Sequence, residues 1–151
     1  MTENWFFPDW PAPPQVHAAV TTRSSPGQSQ APFERCNLGL HTGEDAAIAQ
    51  ANRSAVQAAL QLPAAPRWLR QVHGTGVVHC GPQAPSEEPQ ADAAVTGTPG
   101  AVLAILTADC LPVLLCTLDG HAVAAAHAGW RGLASGVLEA TLAALPAPTA
   151  R

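Results

Sequence analysis

The sequence contains no lysine; its seven basic residues are all arginines, scattered from Arg23 to Arg151. That absence removes a Schiff-base lysine, a pyridoxal phosphate attachment point and a Walker-type phosphate loop together. No arginine cluster is present that would track a phosphate backbone, and the formal charge is -4, so nucleic acid is not an expected partner. Cysteine is sparse as well. Cys36, Cys80, Cys110 and Cys116 form no CxxC pair and are expected to be thiols or ligands in a reducing compartment. The opening MTENWFFPDWPAPP lacks a basic segment followed by an apolar core, so no secretory signal is read there and a cytoplasmic location is expected. There is no internal repeat, and the 151 residues suit one domain, 1–151, with a real hydrophobic core. Any catalysis falls to His, Cys, Asp, Glu and Arg.

What the sequence does have is a long apolar run, AVLAILTADCLPVLLC, interrupted by Thr107, Asp109 and Cys110. A membrane span is the first thing such a run suggests. Asp109 near its centre would cost about 2.5–3.5 kcal/mol on insertion, and Pro112 breaks it, so it is expected to be two buried strands instead. The remaining elements follow from periodicity and punctuation. VHAAVTT at 16–22 predicts a short strand, and the segment to Asp45 a long Gly/Pro/Ser loop. Ile48, Ala51, Ala55, Val56, Ala59 and Leu60 recur at helical spacing over 45–62, stopped by Pro63, with Arg53 on a separate face. A strand is expected around WLRQVHGTGVVHC, an exposed loop over 81–90, strands in AVLAILTAD, PVLLCTL and HAVAAAH, and a closing helix over 133–145. Clustered strands with flanking helices give a mixed α/β or α+β fold.

Three side chains able to ligate a metal stand at expected strand ends: His73 in RQVHGTG, Cys110 in TADCLP and His127 in AHAGWRG. Two imidazoles and a thiolate suit zinc and leave a fourth position for water. Their separations follow no local zinc-finger rule, and the simpler reading is three packed core residues, free cysteine being commonly buried. Asp109, if buried, requires a cation, and Arg131 between two glycines at a helix start is one source.

The succession NLGLHTGED, NR, WLRQVHG, ADAAVTGTPG, TADCLPVLLC and AHAGWRG resembles the bacterial polyphenol oxidase (laccase-like) family. Its members are also described as purine nucleoside phosphorylases with adenosine deaminase activity and as peptidoglycan editing factors. The resemblance runs from about Val16 to Leu145. It implies an α/β/β/α sandwich with mixed sheets, and a zinc held by His73, Cys110 and His127. It further implies Arg53 as a phosphate or substrate contact, with Asn37, Gln71, Asp92, Asp109 and Arg131 around the site. Family members usually continue beyond the point where this chain stops, so the resemblance also admits a fragment, a homo-oligomer or a completing polypeptide.

On that resemblance, the expected partners are purine nucleosides and phosphate. Deamination would use a zinc-activated water with Asp109 moving protons; phosphorolysis would use Arg53 and Arg131 to hold phosphate. Copper is the less favoured metal, because a multicopper oxidase needs several copper centres and the chain has six histidines. Two further readings stay open: a cysteine amidohydrolase with Cys110 as nucleophile activated by His127, and an inactive fragment.

Overall fold

A computed structural model describes residues 4–147. Two compact units divide the chain, one formed by Met1–Pro11 with His17–Leu62, the other by Ala12–Val16 with Pro63–Arg151.

In the first unit, β1 (Trp5–Phe6) and β2 (Val20–Thr21) make a short antiparallel ribbon, and α1 spans Ala46–Ala59. The strand expected over 16–22 therefore shrinks to two residues. α1 starts where expected because the Asp45 carboxylate accepts from the Ala47 N–H at 2.9 Å, capping the first turn. Its buried face differs from the expected apolar stripe. Ala49, Asn52, Arg53 and Val56 go inside, a regular helical stripe that is half polar. Arg53, expected on a face of its own, is 6% exposed, and its Nε donates to the Leu38 carbonyl at 2.8 Å. The reason lies in the preceding loop, whose backbone groups have no strand partner and take helix side chains instead. The Asn52 amide accepts from Gln28 N and donates to Ser29 Oγ and the Asn37 carbonyl, all at 2.7–2.8 Å.

The second unit is built on a four-stranded mixed sheet: β3 (Val77–His79), β4 (Ala93–Thr96), β5 (Leu111–Cys116) and β6 (Val123–Ala128), in the order β3-β4-β6-β5. β3 and β4 run parallel; the other pairs are antiparallel. Half of β4 and most of β6 are alanine because both sheet faces are covered. On one face Ala93, Ala126 and Ala128 pack with Val137; on the other Ala94 meets Leu69 and Ala91, with Leu103 and Ile105 against them. The mixed α/β class is as expected.

Three further expected elements are corrected. AVLAILTAD is not a strand: it makes one isolated parallel bridge, Leu103 to Arg67. Beyond it a side chain stands in for a neighbouring strand, since the Gln71 amide donates to the Leu106 carbonyl and accepts from its N–H, both at 2.8 Å. The strand expected around WLRQVHGTGVVHC likewise survives only as isolated bridges at Arg67 and Arg70 and as β3. The closing helix is two, α2 (Trp130–Ser135) and α3 (Val137–Ala144), broken at Gly136 with φ 98°, a left-handed conformation that suits glycine. Among the described residues no helix is long and apolar enough to cross a membrane.

Candidate metal centre

The β5–β6 register brings two of the three expected ligands to one end of the sheet. Leu111 pairs with Ala128, so Cys110, just before β5, lies beside Gly129, just after β6. His127 is the penultimate residue of β6 and is 4% exposed. His73 reaches the same place from the loop before β3. The ligating atoms of His73, Cys110 and His127 all lie within 4.8 Å of one another, with Cys110 Sγ 3.8 Å from His73 Nε2. The two imidazoles meet edge to face, centroids 4.8 Å apart. His73 is exposed, Cys110 half-buried and His127 buried, so the cluster opens to solvent on the His73 side.

One carboxylate organises this cluster. Asp92 is fully buried immediately before β4. Its Oδ1 accepts from Val72 N and Gly74 N, and its Oδ2 from His73 N, each at 2.9 Å. Three successive N–H groups thus converge on one anion, and the turn that aims them places His73 at φ 59°, uncommon for a residue with a side chain. Asp92 Oδ2 also lies 2.8 Å from His127 Nδ1. Burial pushes the Asp92 carboxyl up, but the His127 contact and the three N–H groups outweigh it and hold its pKa below the ordinary value. A carboxylate that accepts three N–H groups is placed to accept from His127 Nδ1 as well, and in the neutral imidazole that leaves Nε2 with its lone pair. The backbone adds a further tie, His127 N donating to the Asp92 carbonyl at 2.7 Å.

Gly129 has a steric role that its place in a turn did not reveal. A Cβ there would come within 2.7 Å of Cys110 Sγ and 3.3 Å of His73 Cδ2. Its φ of -69° is open to any residue, so the restriction is the space beside the sulfur rather than backbone strain. The donor set, the free Nε2 of His127 and this glycine-made space fit a metal ion of zinc type. Tetrahedral ligands at 2.0–2.3 Å from zinc stand about 3.3–3.7 Å apart, close to the 3.8 Å between Cys110 Sγ and His73 Nε2.

The other expected site residues are placed less uniformly. Asp109 is exposed rather than buried and requires no cationic partner. Together with burial it raises the Cys110 thiol pKa, while Arg131 acts in the opposite direction. Arg131 is exposed and its guanidinium lies 4.5 Å above the Trp130 ring. Gln71 is committed to the Leu106 backbone. Asn37 and Arg53 belong to the first unit. The Asn37 amide donates to Gly39 O, Thr42 Oγ1 and Glu44 Oε2 and accepts from Gly39 N, so its polar groups are occupied within its own loop.

With this geometry in hand, comparison with known proteins is decisive. A family model described as multi-copper polyphenol oxidoreductase laccase matches residues 17–151. The chain belongs to this laccase-like family. Similar curated relatives are named purine nucleoside phosphorylases: one from Pseudomonas aeruginosa is 51% identical over 144 residues, covering 95% of this chain and 57% of the relative. One from Escherichia coli is 48% identical over 135 residues, covering 89% and 55%. A crystal structure of a Neisseria meningitidis protein superposes with a TM-score of 0.88 at 46% identity, covering 97% of this chain and 59% of that one. A Geobacillus stearothermophilus structure gives 0.82 at 29% identity, covering 91% and 54%. The chain therefore spans little more than half the length of the relatives it matches.

Proposed function

We propose that this laccase-like chain carries the zinc centre of a cytoplasmic purine nucleoside phosphorylase that also deaminates adenosine. The observation that supports this reading is the convergence of His73, Cys110 and His127, with His127 Nε2 left free by the Nδ1 contact to Asp92. Zinc held by two imidazoles and a thiolate acidifies water near neutral pH, and this is the chemistry it would supply. The chain's own residues do the rest. In deamination the exposed Asp109 carboxylate takes the proton lost by the attacking water and returns it to the amine leaving purine C6, so adenosine and water give inosine and ammonia. In phosphorolysis Arg131 holds phosphate oxygens against ribose C1′ as the base departs, giving free base and ribose 1-phosphate. The roles proposed for Arg53 toward phosphate and for Asn37 and Gln71 toward the nucleoside rest on the motifs they occupy.

The Cys110-nucleophile alternative uses the same side chains, with His127 as its base, and metal dependence of the activity separates it from the zinc reading. Copper finds support in the family's description and in the same two imidazoles and thiolate, but a multicopper oxidase needs several copper centres, and one three-ligand cluster suits zinc. The test is direct: zinc-loaded chain is incubated with adenosine, with and without phosphate, and the products are separated. Inosine in both samples and free base with ribose 1-phosphate only in the second are expected. Neither product from a fully loaded chain overturns the proposal.

A further inference from the structure

We propose that Asp92 is the positioning residue of the metal centre, fixing the ring tautomer of His127 and the backbone turn of His73 through one carboxylate. The inference rests on the reading of His73, Cys110 and His127 as metal ligands, and it concerns the protein before any metal arrives.

Asp92 has four contacts: the donating N–H groups of Val72, His73 and Gly74, and His127 Nδ1 at 2.8 Å from its Oδ2. Three of them are backbone and cannot change; the fourth can. Only an acceptor with two oxygens satisfies all four, and Asp92 is fully buried, so no water competes for them. The consequence for His127 is that its proton sits on Nδ1 and its Nε2 lone pair is available. For His73 the consequence is a backbone held at φ 59°, which carries the ring to within reach of Cys110 Sγ. Two ligands from distant parts of the chain are thus set by a third residue that ligates nothing. Second-sphere carboxylates of this kind typically contribute 10–100-fold to metal affinity.

Replacing one oxygen by an amide separates the two functions. In Asp92→Asn the new NH₂ must face donors whichever way it turns. Facing Val72 and Gly74 it opposes two fixed N–H groups. Facing the Oδ2 side it opposes one, His73 N–H, and meets His127, which relieves the second conflict by moving its proton to Nε2. The second orientation is therefore preferred, and it places a proton on the nitrogen a metal requires.

The experiment reads the tautomer directly. Long-range ¹H–¹⁵N correlation spectra of the metal-free, ¹⁵N-labelled chain report which ring nitrogen bears the proton, with His127 assigned by its disappearance in His127→Gln. The expected result is Nδ1–H in the parent and Nε2–H in Asp92→Asn, with zinc affinity, measured by chelator competition, reduced about 10–100-fold in the variant. Backbone amide spectra check that the variant is folded. Nε2–H in the parent chain overturns the proposal without reference to any variant. So does a folded Asp92→Asn that keeps its affinity within twofold. A parent chain with Nδ1–H that takes up no zinc defeats the metal-ligand reading while upholding Asp92 as the residue that sets the His127 tautomer.

Discussion

Asn52 in the first unit and Asp92 in the second are both fully buried, and each gathers an irregular loop around one side chain. Asn52 both donates and accepts, and the groups around it are satisfied among themselves: Gln28 N–H, Ser29 Oγ and the Asn37 carbonyl are all taken. Asp92 only accepts, and what it holds is not thereby used up. Anchoring His127 through Nδ1 leaves Nε2 to act, and anchoring His73 through its backbone leaves the whole ring to act. A neutral amide that closes a network makes structure. An anion that grips its neighbours by their far side makes a site.

This contrast can be broken or sharpened by substitution. The largest effect is expected from Cys110→Ala, which removes the thiolate from a three-ligand set. Zinc content of the purified chain should fall from about one per chain to background, by elemental analysis. A variant that retains zinc would show that Cys110 is not a ligand.

Asn52→Ala comes next. It leaves the Gln28 N–H and the Asn37 carbonyl without this partner, while Ser29 Oγ keeps Glu44 Oε2 and Asn37 N, and each unmet group costs about 1–3 kcal/mol, so urea unfolding should register a loss of about 2 kcal/mol. A loss under about 1 kcal/mol would mean that the loop finds other partners and that Asn52 is no organiser.

Gly129→Ala sharpens the comparison from the other side. The backbone at φ -69° accepts alanine, but the Cβ would crowd Cys110 Sγ at 2.7 Å. Unchanged far-ultraviolet circular dichroism with roughly tenfold weaker zinc binding is the expected outcome, a factor equivalent to about 1.4 kcal/mol. Equal affinity would mean that the sulfur moves aside without consequence.

The smallest effect concerns Asp119, in the β5–β6 turn, whose carboxylate accepts from Thr117 Oγ1 and His121 N. These bonds hold its pKa below the ordinary carboxylate value. A depressed acid adds stability above its unfolded pKa and loses it as pH falls through the folded one. The parent chain should therefore melt slightly above Asp119→Ala at neutral pH, with the gap closing at pH values below the carboxylate range. A gap that widens in acid would reverse the sign of the argument.

Some of this was legible from residue types alone. His73, Cys110 and His127 stand out because imidazole and thiolate chemistry is carried by the side chain itself, and short motifs surround them. The α1 start was legible at Asp45, since a cap acts within one turn. A signal for the α2–α3 break existed in Gly136, a glycine inside a helical stretch that the apolar pattern over 133–145 overrode. Other features left no local trace. Arg53 and Asn52 face inward because a loop distant in sequence lacks backbone partners, a demand that hydrophobic periodicity does not record. AVLAILTAD has the composition of a strand but not the neighbour a strand requires.

The sequence by itself determined which donors the chain offers, which segments are apolar enough to be buried, and where α1 begins, because those properties reside in single side chains or one helical turn. Only the tertiary structure decided that His73 bends into a left-handed turn, that His127 sets its Nδ1 against Asp92, and that Gly129 leaves room beside Cys110. Each depends on a partner distant in sequence, 19 residues away for His73 and 35 for His127, and hydrogen-bond direction and steric space exist only once both partners are in place.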